Sequence, residues 1–334
     1  MRPVEDIKEL LEVPKKVLIT MHQKPDADAM GSSLALYNFL ILKGHQVLVI
    51  SPTNFPSFLN WMPGCGRVLD FESSKDKGIS LMKETEILFC LDFNALYRTK
   101  GLAPHLEKLK CPKVLIDHHP SPEKVFDYGI SDPEASSSAQ LVYEFIYRIG
   151  GESLINEAIA QCLYAGSMTD TGSFRFASTS SGVHRMIADL MDRGLKHEPI
   201  HQAIYDNYLE NRLRFFGNAL LNRMEVFYEF NTVLIAIPFS DVRRWDLQAG
   251  DTEGLVNLPF SIQGIRFSTL IIDYDSEVKL SFRSKGNFDV NLFARKYFKG
   301  GGHINASGGR SGDNLEKTVA LFRNALEENR KLLE

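Results

Sequence analysis

Cysteine is scarce in this chain and poorly placed for any joint role. The four residues, Cys65, Cys90, Cys111 and Cys162, form no C-x-x-C pair and lie far apart in sequence, so they are expected as free thiols and not as metal ligands. Cys90 and Cys111 adjoin apolar runs, where cysteine behaves as a small buried hydrophobe. Long apolar runs are missing as well: nowhere do about 18 uninterrupted apolar residues occur, which sets aside a membrane-spanning helix and a membrane partner. The opening stretch MRPVEDIKELLEVPKK carries acids and reads as an amphipathic helix, and a cytoplasmic protein is expected. Nor is there an excess of positive charge. With 38 basic against 42 acidic residues, net −4, no global field draws in long duplex nucleic acid, and a polyanionic substrate has to be captured locally. Internal repeats and low-complexity segments are also missing.

What remains is a chain of 334 residues, 44% hydrophobic and 24% charged, long enough for two ordinary globular domains. Its first half alternates short apolar runs with helical periodicity, the pattern of a parallel sheet covered by helices. Strands are expected at 17–21, 47–50, 87–92 and 113–117. Helices are expected at 31–43, 137–149, 154–168 and 183–191, with a polar-faced helical connector over 199–224. Beyond it come adjacent strands, roughly 225–230, 233–237, 265–274 and 278–283, and a closing helix over 315–333. The expected fold class is α/β: an N-terminal parallel sheet with helices on both faces (1–195), a helical connector (196–224) and a smaller C-terminal α+β domain (225–334).

The informative residues sit where strands of the first domain end, the edge at which open α/β sheets gather ligands. After VLITM comes His22-Gln23-Lys24-Pro25-Asp26-Ala27-Asp28, an imidazole and two carboxylates on a loop stiffened by Pro25 and released by Gly31. The structural alternative is a turn with Asp28 as N-cap and Asp26 favouring the helix dipole. Asp92 ends the apolar run ILFCL, and Asp117-His118-His119 ends KVLI, where a carboxylate can fix an imidazole tautomer. Thr169-Asp170-Thr171-Gly172 follows a helix and, taken alone, is a helix end. Ser136-Ser137-Ser138 reads as a loop and helix start rather than a nucleophilic centre.

Taken together these four stretches resemble the DHH phosphoesterase family, whose motifs run His-x-x-Pro-Asp-x-Asp, a single Asp, Asp-His-His and a last Asp. All are present in order over residues 22–170. The second half resembles that family's associated C-terminal domain through Ser281-Phe282-Arg283-Ser284 and Gly300-Gly301-Gly302-His303-x-x-Ala306. Within the family, both signatures are most similar to the nanoRNase and pAp-phosphatase group, which trims very short oligonucleotides and dephosphorylates 3′-phosphoadenosine 5′-phosphate (pAp). The resemblance implies one cation on His22, Asp26 and Asp92 and a second on Asp28, Asp92, His118 and Asp170, with Asp92 bridging. It implies further that Asp117 orients, that His119 faces the substrate phosphate, and that Arg98 neutralises phosphoryl charge. Arg283, Ser284, Gly300, Gly301, Gly302 and His303 are then the substrate-binding set.

Charge balance supports two divalent cations independently, because four ionised carboxylates match their +4. Oxygen and imidazole donors without thiolate suit Mn²⁺, with Mg²⁺ or Co²⁺ as alternatives. Two such ions about 3.5–4 Å apart can share a water, lower its pKa and clamp a phosphoryl group. Phe174, Phe176, Phe282 and Phe288 are either core aromatics or platforms for bases. The implied function is hydrolysis of short single-stranded RNA, of pAp, or of both. Dinucleotide phosphodiesterase, pyrophosphatase or polyphosphatase activity, and a nucleotide-binding regulator with a dead metal site, stand as alternatives. A homodimer is left open.

Overall fold

The apolar runs KVLIT, QVLVIS, ILFCL and KVLID are rich in Val, Ile and Leu and have no polar face, as strands buried on both sides require. In the computed structural model, which describes residues 1–206, 208–248 and 250–333, they form the centre of a seven-stranded sheet. Its strands are β1 (Arg2–Pro3), β2 (Lys16–Thr20), β3 (Gln46–Ser51), β4 (Val68–Asp70), β5 (Ile87–Leu91), β6 (Lys113–Asp117) and β7 (Tyr128–Ser131). They run in the order β1-β7-β6-β5-β2-β3-β4, every pairing parallel. From β2 the chain proceeds outward through β3 and β4, then returns to β5 on the other flank. The topological switch therefore lies between β2 and β5, where the carboxyl ends of two strands open a crevice.

Seven helices accompany this sheet: α1 (Ala27–Leu42), α2 (Lys75–Met82), α3 (Ala103–Glu107), α4 (Ser138–Arg148), α5 (Glu157–Asp170), α6 (Ser181–Asp192) and α7 (Glu198–Tyr205). Strand side chains alternate between two cores. Val17, Ile19, Phe89 and Ile116 pack with α1, α4 and α5, while Leu18, Leu88, Cys90 and Leu115 pack with Met82 of α2 and Leu106 of α3. All four cysteines are free, Cys90 wholly buried and Cys111 half-buried. The expected N-terminal amphipathic helix is instead β1 followed by two 3-10 turns, Val4–Ile7 and Glu9–Leu11. Val4 and Ile7, three residues apart, meet on one face of such a turn, and both are buried.

The compact units are residues 1–207 and 208–334. The single connecting helix expected over 199–224 is two helices, α7 and α8 (Glu210–Asn222), because Asp206 and Leu209 leave helical backbone angles. The second unit continues with β8 (Met224–Phe227), β9 (Thr232–Ile237), α9 (Phe239–Arg244), β10 (Phe267–Asp273), β11 (Val278–Ser284), α10 (Val290–Tyr297), β12 (Gly301–Gly302), β13 (Ala306–Ser311), α11 (Leu315–Glu328) and α12 (Arg330–Leu333). Its sheet order is β12-β13-β11-β10-β9-β8, mixed, with β9 and β10 parallel. Phe282 and Phe288 join Phe267, Phe293 and Phe322 in the core between sheet and helices, so neither is a base platform. Among the described residues no helix is long and apolar enough to cross a membrane.

In the first unit α1 and α5 meet backbone to backbone. A Cβ on Gly31 would lie 2.5 Å from the carbonyl oxygen of Cys162, and one on Gly166 would lie 2.6 Å from Asp28 Oδ1 and 2.8 Å from the Cβ of Ala139. Two glycines thus bring α1, α4 and α5 to one point. Gly31→Ala is expected to lower unfolding stability by about 1–3 kcal/mol through overpacking, although alanine is the better helix former. Gly217→Ala, on α8 with nothing within 4 Å of its added methyl, is the control and should raise stability by about 0.5–1 kcal/mol. Urea titration of both variants checks this, and a neutral or stabilising Gly31→Ala would refute the close-contact reading.

Candidate metal centre

His22 follows β2 by two residues, and its Nδ1 donates to the carbonyl of Gln23 at 2.8 Å, which turns Nε2 toward the neighbouring carboxylates. That Nε2 stands 3.3 Å from Asp92 Oδ2 and 3.7 Å from Asp26 Oδ2. Asp26, not Asp28, is the N-cap of α1: its backbone is extended and its Oδ1 accepts from the amides of Asp28 and Ala29, both at 3.0 Å. The helix accordingly begins four residues earlier than the expected Gly31, which lies within its packed face instead of releasing a loop.

Asp28, in the first turn, is fully buried and turned inward. Its Oδ2 accepts from the amide of Ser138 at 2.6 Å and its Oδ1 from that of Ala139 at 2.9 Å. These are orphan donors at the N-terminus of α4, a partially positive helix end that favours a carboxylate.

Asp92, at the carboxyl end of β5, has φ +61°, a left-handed conformation that few L residues other than Asn and Asp adopt. The kink places its carboxylate, 2% exposed, at the middle of the cluster. Oδ1 accepts from Ser138 Oγ at 2.9 Å and lies 3.4 Å from His118 Nε2 and 3.7 Å from His119 Nδ1, while Oδ2 faces His22. Asp170, the last residue of α5, brings Oδ2 to 3.4 Å from His118 Nε2. Asp117 is wholly buried and its Oδ1 accepts from His119 Nδ1 at 2.7 Å. Its other oxygen finds no partner among the described residues.

Within the first unit three sets of donor atoms each lie within 4.8 Å of one another: His22, Asp26 and Asp92; Asp28, Asp92 and His118; and Asp92, Asp117 and His119. Asp92 is common to all three. Crowding of like charge in a buried site shows in the titration of the groups. Burial raises the Asp170 carboxyl, against the pull of His118 and with the charges of Asp26 and Asp92, to about 8. Burial also raises Asp28 well above the usual range, with Asp92 and Asp170 adding to it. Burial alone would lower His118, but the hydrogen bond and charge of Asp92 and the charge of Asp170 outweigh it and lift it to about 11. Such a set of oxygens and imidazoles, with negative charge in excess and no thiolate, fits divalent cations.

The structure thus gathers His22, Asp26, Asp28, Asp92, His118 and Asp170, with Asp117 and His119 alongside. Arg98 adjoins the set through its main chain, its carbonyl accepting from the amide of Gln23 at 2.8 Å. In the second unit Gly301 and Gly302 pair with Gly308 and Ser307, and Arg283 sits across from Ala306 in the neighbouring strand pair. The His303 amide donates to the Ala306 carbonyl at 2.8 Å and closes the hairpin. A Cβ on Gly300 would lie 2.1 Å from the carbonyl oxygen of Gly308, so the glycine run is needed for this strand approach. Ser284 leaves the expected substrate-binding set: it is buried, and its hydroxyl donates to the Phe288 carbonyl at 2.7 Å and accepts from Asn305 Nδ2. The sequence reading of Ser137 and Ser138 as a helix start agrees with Ser137 capping α4. It missed that this helix start is part of the centre, through the Ser138 hydroxyl and the amides of 138 and 139. Three small hydroxyl residues before a helix, in a chain with so many unpaired carboxylates, were the available signal.

Comparison with known proteins agrees with this geometry. Residues 16–167 match the DHH family, N-terminal domain, and residues 231–329 match the DHHA1 domain. The bifunctional oligoribonuclease and PAP phosphatase NrnA of Thermus thermophilus is 27% identical over 92% of this chain and 87% of its own length. Its namesake in Bacillus subtilis is 28% identical over 64% of this chain and 68% of its own. A crystal structure of an exopolyphosphatase-related protein from Bacteroides fragilis shares 38% identity and superposes with a TM-score of 0.96, covering 99% of this chain and 97% of that one. With its DHH and DHHA1 stretches in order and carboxylates and histidines converging at the sheet's switch point, the chain belongs to the DHH family and is a phosphoesterase.

Proposed function

We propose that this phosphoesterase hydrolyses oligoribonucleotides a few nucleotides long to mononucleotides, and pAp to AMP and phosphate, with two divalent cations, manganese foremost, in the centre. The observation that carries the reading is Asp92, whose two oxygens face different imidazoles, His22 and His118, so that one carboxylate serves two adjoining donor sets. Relatives bearing the oligoribonuclease and PAP phosphatase name support the substrate class.

When bound, the cations supply Lewis acidity, making a water more acidic and offsetting phosphoryl charge. The chain's own residues do the rest. Ser138 Oγ and the left-handed backbone hold Asp92 in place, and the α4 amides fix Asp28. Asp117 accepts a hydrogen bond from His119 Nδ1, which fixes the tautomer and orients the ring so that Nε2 is the atom to face a phosphoryl oxygen. In the second unit the hairpin of Gly301, Gly302 and His303, with Arg283 nearby, grips a nucleotide, since glycine lets backbone amides approach an anion closely.

The deciding experiment is a panel of RNAs of two to five nucleotides, a 24-mer, pAp and polyphosphate, run with Mn²⁺, Mg²⁺, Co²⁺ or excess EDTA. Turnover of the shortest RNAs and pAp, absent in EDTA and best restored by Mn²⁺, is expected. Full activity in EDTA, or activity confined to polyphosphate, would overturn the proposal. Asp92→Ala should abolish turnover with the fold retained by circular dichroism. A residual rate above about a tenth of wild type, only about 1.4 kcal/mol in barrier, speaks against its shared role.

The raised values of Asp170 and His118 fix a sign for metal binding. Without cations Asp170 stays largely protonated until about pH 8, and His118 carries its proton through neutrality. Ligation has to displace those protons, so Mn²⁺ affinity should rise between pH 6 and 8, the range set by general metal–proton competition at roughly these values. Calorimetry at about pH 7 in two buffers of different ionisation heat should register net proton release. A release of zero would mean that neither group is a ligand.

A further inference from the structure

The turn that follows Asp170 is built unlike any other among the described residues. Gly172, Ser173 and Phe174 are consecutively left-handed, with φ of +57°, +60° and +63°. Two of the three carry side chains that disfavour this conformation, so the surroundings have to hold it. They do so densely: the Ser173 amide donates to the Met168 carbonyl at 2.7 Å, the Phe174 amide to Thr171 Oγ1 at 3.0 Å, and the amides of Arg175 and Phe176 both to the Thr171 carbonyl at 3.0 Å. Phe174 anchors the turn inward, its ring 5.6 Å from that of Tyr164 and 6.2 Å from that of His184.

The next two residues are treated oppositely. Phe176 remains 47% exposed, with the tip of its ring resting against Gly172, where an added Cβ would lie 2.5 Å from the ring. The ring is packed at its tip and stays half open to solvent. Arg175 Nε donates to the Gly172 carbonyl at 2.7 Å, which fixes the guanidinium, and no carboxylate among the described residues pairs with it. A strained turn that begins two residues after a proposed metal ligand therefore carries, on consecutive residues that both touch Gly172, a guanidinium paired with no carboxylate among the described residues and a half-exposed aromatic ring. The chemistry that satisfies both at once is a single nucleotide unit, with its base on a π face and its phosphate on a charged planar donor.

We propose that Arg175 and Phe176 form a nucleotide subsite at the rim of the metal centre, Phe176 stacking on the base and Arg175 binding a phosphate. The inference rests on the nucleotide-hydrolysing reading above and deepens it. A base contact makes the enzyme prefer substrates that carry a base over the same phosphoester without one.

The test uses the full chain with Mn²⁺ and compares kcat/KM on pAp with that on the base-free ribose 3′,5′-bisphosphate. In Phe176→Leu, which keeps bulk and loses the π face, the ratio of the two should fall roughly five- to a hundredfold, the range of one base–aromatic stack. Phe176→Trp should restore the ratio. Arg175→Gln should lower kcat/KM about tenfold on both substrates alike, since both carry the phosphate, through KM more than kcat. Independently of turnover, AMP added to Phe176→Trp should quench the extra indole fluorescence that this variant shows over wild type. An unchanged ratio in Phe176→Leu together with no quenching overturns the subsite while nucleotide hydrolysis by wild type stands. Failure of wild type to turn over any nucleotide removes the functional reading and this inference with it.

Discussion

Like charges have to be held together in a buried place: this constraint organises the first unit. Asp28 and Asp92 are essentially inaccessible to water, and Asp26 and Asp92 stand close enough to Asp170 to raise its carboxyl further. Without compensation, neighbouring carboxylates in a poorly solvated pocket repel strongly, and some take up protons. The fold answers with imidazoles on either side of Asp92, a serine hydroxyl on its Oδ1, and the open end of a helix against Asp28. These relieve the repulsion only in part, as the raised Asp170 carboxyl shows. The remaining imbalance is what makes the pocket receptive to cations.

Much of the centre was legible in the sequence because His22, Asp26, Asp92 and His118 each follow an apolar strand or lie in the loop after it, where a charged residue has no packing role, whereas Asp170 ends a helix and stood out only in their company. The parallel sheet was legible for the same reason, since its central strands are continuous apolar runs. Less was visible where local pattern and tertiary role diverge. Asp26 and Asp28 are both acceptable caps, and the choice between them is made by the α4 amides, more than a hundred residues away. β13 reads ASGGRS, a poor strand by propensity, and is formed by its ladder with β11 and by glycines that let β12 come close. β1, β4 and β7 are too short to carry a period. Phe282 and Phe288 looked equivalent to Phe176 until burial separated them.

Hydrogen-bond commitments refine which residues are free to act. Ser284 lies beside Arg283 in sequence, yet its hydroxyl is occupied at both ends by Phe288 and Asn305 and acts as a brace for the turn before α10. His119 is bound at Nδ1 by Asp117, which sets its tautomer and the orientation of its ring. Neither distinction is available from residue type.

The meeting of α1 and α5 at Gly31 and Gly166 bears on how such an enzyme can drift. Helices that touch through side chains slide or roll when those side chains change size, and anything they carry moves as well. Here the closest approach, at Gly31, is to the peptide backbone of Cys162 and Gly166, which substitution elsewhere leaves intact. Asp28 on one helix and Asp170 on the other are therefore spaced by main-chain geometry, insulated from the turnover of the apolar residues around them. A lineage could replace much of this core and still inherit the same separation between these two carboxylates.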